Sequence, residues 1–136
     1  MCDGCGAAFE FDGGAFADNM YRMAGDWASG TEPQIAQQDA QPGRLTVGGH
    51  EFELIALEGH TAGDLAILDH RTGVLFAGDL VFRGRIPFVG QADSRRWVAS
   101  LDRLLTRPAA VIVPGHGPLS HEPLPDLQLT RDYLLH

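Results

Sequence analysis

Three short segments of this chain each place a potential metal ligand directly after a glycine. They read Gly59-His60-Thr61-Ala62-Gly63-Asp64-Leu65, Leu75-Phe76-Ala77-Gly78-Asp79-Leu80-Val81-Phe82 and Ile112-Val113-Pro114-Gly115-His116-Gly117-Pro118. In each, an apolar, β-like stretch runs into or out of a glycine-rich turn. Imidazole and carboxylate are donors that zinc accepts at turns, where a rigid backbone can aim them without strain. A glycine before the ligand allows a sharp bend and leaves room beside it, because it has no Cβ. Taken singly, a Gly-His is most simply a turn histidine and a Gly-Asp after a strand a turn or cap. It is the three together, in order and with strands between them, that point to zinc at His60, Asp79 and His116.

Those ligands need a sheet whose strand ends meet. Arg44 to Val47 and Glu51 to Ile55 read as two strands joined by Gly48-Gly49-His50, a hairpin signal. Leu65 to Leu68 and Val74 to Ala77 read as two more, so His60 falls between strands and Asp79 directly after one. A helix begins at Ser94, capped by Asp93 or Ser94, with an apolar stripe of Trp97, Val98, Leu101, Leu104 and Leu105. Arg103 and Arg107 suit its C-terminal dipole, and Pro108 stops it. Ala110 to Val113 is a buried strand, and Pro114 to Pro118 a rigid exit loop. Leu127, Leu129, Tyr133 and Leu134 suggest a last helix. Residues 1–42 carry the poorest signal: Phe16, Met20 and Met23 have helical spacing across Ala15–Ala24, and Gly30 to Pro42 reads as a loop.

The 136 residues make a single domain or part of one, with 44% hydrophobic and 21% charged residues, ordinary for a globular protein. A formal charge of -8 weighs against a nucleic-acid partner, which needs clustered cations. Arg83, Arg85, Arg95 and Arg96 do cluster, and read as a solvated face. No apolar run approaches the ~18 residues that span a bilayer, so no membrane partner is expected. The first residues show no basic leader or secretory hydrophobic region, yet Met1 need not be the true start, which leaves the compartment open. Cys2 and Cys5 lack the two further soft ligands of a structural zinc site and read as free thiols, with a disulfide or a metal contact as alternatives. His50, His70, His121 and His136 read as exposed polar residues.

In this order the three segments resemble the second half of the metallo-β-lactamase-fold hydrolases, across roughly residues 43 to 120. The stretch from Arg83 to Leu105, with His-Thr-x-Gly-Asp, is most similar to zinc metallohydrolases associated with quinoprotein and sulfur-oxidation gene clusters, and more distantly to glyoxalase II-type thioester hydrolases. The resemblance implies an α/β fold: the C-terminal half of an αβ/βα sandwich, a mainly antiparallel or mixed sheet with flanking helices. It implies that His60 serves a first zinc, His116 a second, and Asp79 both. A shared hydroxide, rather than a side chain, would attack an ester, thioester or amide. Asp64 would act behind the ligands, or simply in its turn.

The family's opening motif, His-x-His-x-Asp-His, is absent from these residues. The two-zinc site is therefore incomplete here, and the chain alone is expected to bind zinc weakly and to hydrolyse nothing at a useful rate. The three residues could instead form a two-His-one-carboxylate face for one ion. Both ends look cut, so residues 1–136 are expected to be one partial domain, with 43–136 carrying the site. A small-molecule substrate is expected if the missing half is supplied. A half-sandwich leaves an apolar sheet face, which a complementing N-terminal half or a second copy would cover. The competing reading is a non-catalytic remnant or oligomeric binding module with a vestigial metal site.

Overall fold

The protein is described by a computed structural model over residues 18–28, 41–90 and 92–136. The chain divides into two compact units, Met1–Gln41 and Pro42–His136. In the first, residues 18–24 are helical (α1) and run into a 3-10 turn over Gly25–Ala28. Met23 and Trp27 are largely exposed there. Cys2, Cys5 and Phe16, and nearly all of the expected Gly30–Pro42 loop, lie outside the described residues.

The second unit is a five-stranded sheet in sequence order: β1 (Gly43–Val47), β2 (His50–Leu57), β3 (Asp64–Asp69), β4 (Val74–Phe82) and β5 (Val111–His116). The first three pairings are antiparallel, and β4 with β5 is parallel. A parallel pair needs a crossover, supplied here by α2 (Ser94–Leu105), and α3 (Pro123–Leu135) follows β5. The β1–β2 turn is Gly48-Gly49, both with positive φ, the conformation a two-residue hairpin demands. Cross-strand partners share a face. Ile55, Leu57, Ala66, Leu68, Leu75, Ala77 and Ile112 thus point to one side, where they are buried with Trp97, Leu101, Leu104 and Leu127 of the helices. On the other face Leu45, Val47, Leu65 and Phe76 remain exposed. No helix among the described residues is long and apolar enough to cross a membrane.

The expected strands, the α2 stripe and the last helix are present, but two expectations need correction. Asp79 lies inside β4 rather than after it. Gly78, at φ 54°, kinks the strand, and pairing resumes at Phe82 with His116. The exit loop after Val113 is likewise strand as far as His116, because partner hydrogen bonding, not local composition, sets its end. On α3 the buried stripe is Pro123, Asp126, Leu127 and Thr130, whereas Leu129 and Tyr133 are exposed.

His50 and His70 are also not simply exposed polar residues. His50 Nδ1 donates to Asp69 Oδ2 at 2.7 Å, and His70 Nε2 lies 3.1 Å from Glu53 Oε2, whose other oxygen meets Arg107 at 3.0 Å. These contacts tie both hairpins together, and Arg107 reaches past the helix end to do so. The hydroxyl of Thr72 is the main cause that takes the Asp69 carboxyl from 3.8 to about 2; His50 and the Arg71 backbone N–H assist, against an opposing effect of burial. A depressed carboxyl stabilises the fold above its unfolded pKa and loses that contribution as pH falls through its folded value. The stability gap between wild type and Asp69→Asn is therefore expected to be full above pH 3.8 and to close as pH falls toward 2. A gap that denaturation shows to be constant across that window would contradict this assignment.

Candidate metal centre

Each expected ligand is held by a different part of the sheet. His60 follows β2 on a loop clamped by α2. Asp93 N–H donates to Gly59 O at 2.9 Å, and the buried Ser100 hydroxyl donates to Glu58 O at 2.6 Å while accepting from Glu58 N–H. Asp93 also caps α2, accepting from the backbone N–H groups of Arg95 and Arg96, so one residue starts the helix and anchors the loop. A Cβ on Gly59 would stand 2.5 Å from Trp97 Cα, so only glycine permits the loop to lie this close to α2. Gly115 is required in the same way by Asp79, and Gly78 by its positive φ. The three glycines before the ligands thus answer three separate steric demands.

The structure brings His60, Asp79 and His116 together. His60 Nε2 lies 3.5 Å from Asp79 Oδ2, and His116 Nε2 lies 3.6 Å from Asp79 Oδ1. His60 Nδ1 is 3.1 Å from the Phe88 carbonyl. A carbonyl can only accept, so Nδ1 carries a proton, and Nε2 is the ring nitrogen that faces Asp79. Such outward fixing of one ring nitrogen is how metal-binding histidines are usually oriented. His60 also packs edge-on to Trp97, with ring centroids 5.3 Å apart, and the His116 ring stacks on Phe82 at 4.9 Å.

Zinc arms of about 2.0–2.1 Å in tetrahedral geometry span a donor–donor edge of roughly 3.3 Å. Both Nε2–carboxylate gaps are close to that edge, so His60 with Asp79 and His116 with Asp79 are each pairs that could take part in holding an ion. Among the described residues no three His, Cys, Asp or Glu side chains are arranged to hold one ion. That argues against the single-ion face, since the two histidines address different oxygens of Asp79. Among the described residues each gap offers two protein donors, fewer than the three or four of a tight zinc site.

Asp64 makes its bonds to the loop that follows His60. It accepts from Thr61 N–H and from the Thr61 hydroxyl at 2.8 Å, and the bond that orients the His60 ring comes from Phe88. Sequence reasoning missed Phe88, because a backbone carbonyl contributes no residue-type signal. The segment carrying it, Arg83 to Gly90, exposes Ile86, Phe88 and Val89 around a buried Pro87. Of these, Phe88 borders the site, its ring centroid 6.5 Å from that of His60. The arginine cluster does not act as one patch: Arg83 pairs with Asp126, and Arg96 with Glu58 and Asp93.

The site thus combines a histidine after β2, a carboxylate inside β4 and a histidine at the end of β5, on one mixed sheet. The sequence profile described as the Metallo-beta-lactamase superfamily matches residues 17–116, and the chain belongs to that superfamily. Hydroxyacylglutathione hydrolase GloC of Haemophilus influenzae is 31% identical over 77 residues, which are 54% of this chain and 36% of that protein. The structure of a metallo-beta-lactamase from Pontibacter korlensis is 26% identical, with a TM-score of 0.67 over 80% of this chain and 53% of that one. An archaeal metallo-beta-lactamase superfamily protein from Sulfolobus tokodaii, 18% identical, shares the fold with a TM-score of 0.68 over 93% of this chain and 53% of that one. The chain thus spans between about a third and about half the length of these relatives.

Proposed function

We propose that this chain supplies the His60, Asp79 and His116 portion of a zinc-dependent hydrolase site acting on an ester, thioester or amide. The observation that carries the reading is the pair of imidazole Nε2 atoms facing the two oxygens of one carboxylate at 3.5 and 3.6 Å. Zinc bound there would polarise a substrate carbonyl and lower the pKa of water well below its bulk value. His60 is held with its proton on Nδ1 by Phe88, which keeps Nε2 free as a donor. Asp79 supplies negative charge to both gaps, and its half-exposed position leaves the site open to a small molecule. Phe88, beside His60, offers an apolar border for the substituent flanking the scissile bond. The similarity to a hydroxyacylglutathione hydrolase favours a thioester.

The remaining donors, which the His-x-His-x-Asp-His motif would bring, are not in these residues, so hydrolysis depends on a further segment or chain. The alternative is a non-catalytic binding module or remnant that associates through its sheet. The exposed Leu45, Val47, Leu65 and Phe76 on one face favour that reading. An assay of thioesters, esters and amides with zinc and a polypeptide carrying the missing motif separates the two. The hydrolase reading expects turnover that needs both polypeptides and disappears with Asp79→Ala. Turnover indifferent to Asp79→Ala, or none in any substrate class once the two polypeptides are shown to bind, would overturn it.

A further inference from the structure

We infer that Asp126, on α3, is a positioning residue for His116, acting through Arg83; the inference rests on the reading of His116 as a metal ligand. Arg83 follows the last residue of β4 and contacts that histidine and the residue after it. Its backbone N–H donates to His116 O at 2.9 Å. The next residue, Gly117, has φ 100°, and a Cβ there would collide with the Arg83 carbonyl oxygen and stand 3.0 Å from Arg83 Cβ. The preceding residue, Phe82, pairs with His116 across the strands and stacks on its ring at 23°. Wherever the backbone at Phe82–Arg83 goes, His116 goes too.

The side chain of Arg83 is anchored from outside the sheet. Its Nε–H donates to Asp126 Oδ1 at 3.2 Å. Asp126 is 9% exposed, in the first turn of α3, and its Oδ2 has no hydrogen-bond partner among the described residues. The pair is partly buried, with the Arg83 side chain 34% and the Asp126 side chain 12% exposed, so desolvation offsets much of the attraction and little net stability is gained. Its value lies in direction. Asp126 is on the buried stripe that locks α3 against the core, so the pair transmits the position of a packed helix to the backbone that carries His116. His60, held by α2 and Phe88, meets this chain of contacts only at Phe82, where the ring centroids are 5.8 Å apart.

The test compares Asp126→Leu, the double variant Arg83→Met/Asp126→Leu, and Thr130→Ala as a control one turn further along the same buried stripe. NMR of the zinc-free chain reads the Phe82–His116 ring cross-peaks and the amides of Arg83, His116 and Gly117. Zinc titration reads affinity. In both Asp126 variants the cross-peaks are expected to weaken and the amides to shift, with the His116 signals moving more than those of the His60 ring, which also lies against Phe82, and zinc affinity lowered roughly tenfold. Thr130→Ala is expected to reproduce the wild-type His116 signals whatever it does to stability.

The double variant removes both charges and so is expected to fold even if the single variant, which leaves Arg83 unpaired, does not. Unchanged His116 signals in the double variant would overturn the inference, as would a disturbance of equal size in Thr130→Ala. Displaced His116 signals in a chain whose wild type takes up no zinc would leave the positioning role standing and remove the metal reading instead.

Discussion

Trp97→Ala is expected to cost about 3–5 kcal/mol, measured by denaturant unfolding, and to release His60 from its place. Trp97 is fully buried, and its indole N–H donates to Leu80 O at 2.9 Å, next to Asp79 in β4. The same ring contacts both aromatic neighbours of the site, His60 at 5.3 Å and Phe82 at 6.2 Å between centroids. Alanine removes the ring, leaves a cavity between α2 and the sheet, and orphans the Leu80 carbonyl. A domain of this size has only about 5–15 kcal/mol to lose, so the variant is expected to lie near the edge of folding. Trp97→Phe keeps most of the volume but not the hydrogen bond, and is expected to lose less. A loss under about 1 kcal/mol for the alanine variant would show that Trp97 does not join α2 to the site.

Gly115→Ala is expected to disable the site while changing one methyl group. The new Cβ would fall on Asp79 Oδ1 and stand 2.7 Å from both Asp79 N and the Gly78 carbonyl carbon. Neither backbone can yield cheaply, because β4 and β5 are hydrogen-bonded on both sides of this point, at Gly78 with Pro114 and at Phe82 with His116. The Asp79 side chain must therefore leave its position between the histidines. Zinc affinity is expected to fall at least roughly tenfold, the loss typical when the support of a ligand is removed. Wild-type zinc binding in this variant would mean that the Asp79 carboxylate is not where the ion is held.

Much of this arrangement is legible in the residues. Alternating apolar positions and Gly48-Gly49 specify the first hairpin, and the i, i+4, i+7 spacing of Trp97, Leu101 and Leu104 specifies α2. The glycines at 59, 78 and 115 mark the ligand positions because close approach and a left-handed kink exclude any side chain there. What was not legible depends on partners distant in sequence. β4 runs on through Asp79 because β5 is available to pair with Phe82, which no local propensity reports. The buried face of α3 is hidden because leucines occur all around it, and because Asp126 and Thr130 are buried through bonds to Arg83 and to the Asp126 carbonyl. His50 and His70 look like turn residues until the strand register sets Asp69 and Glu53 beside them.

The central claim is that Asp79 is shared by two metal positions, one facing each histidine. Equilibrium dialysis of the chain against excess zinc, with the bound metal counted per polypeptide, tests it most directly. The account predicts weak uptake approaching two ions per chain, reduced to one in either His60→Ala or His116→Ala and to none in Asp79→Ala. Uptake that does not change when Asp79 is replaced, or no uptake by the folded wild-type chain, would contradict it.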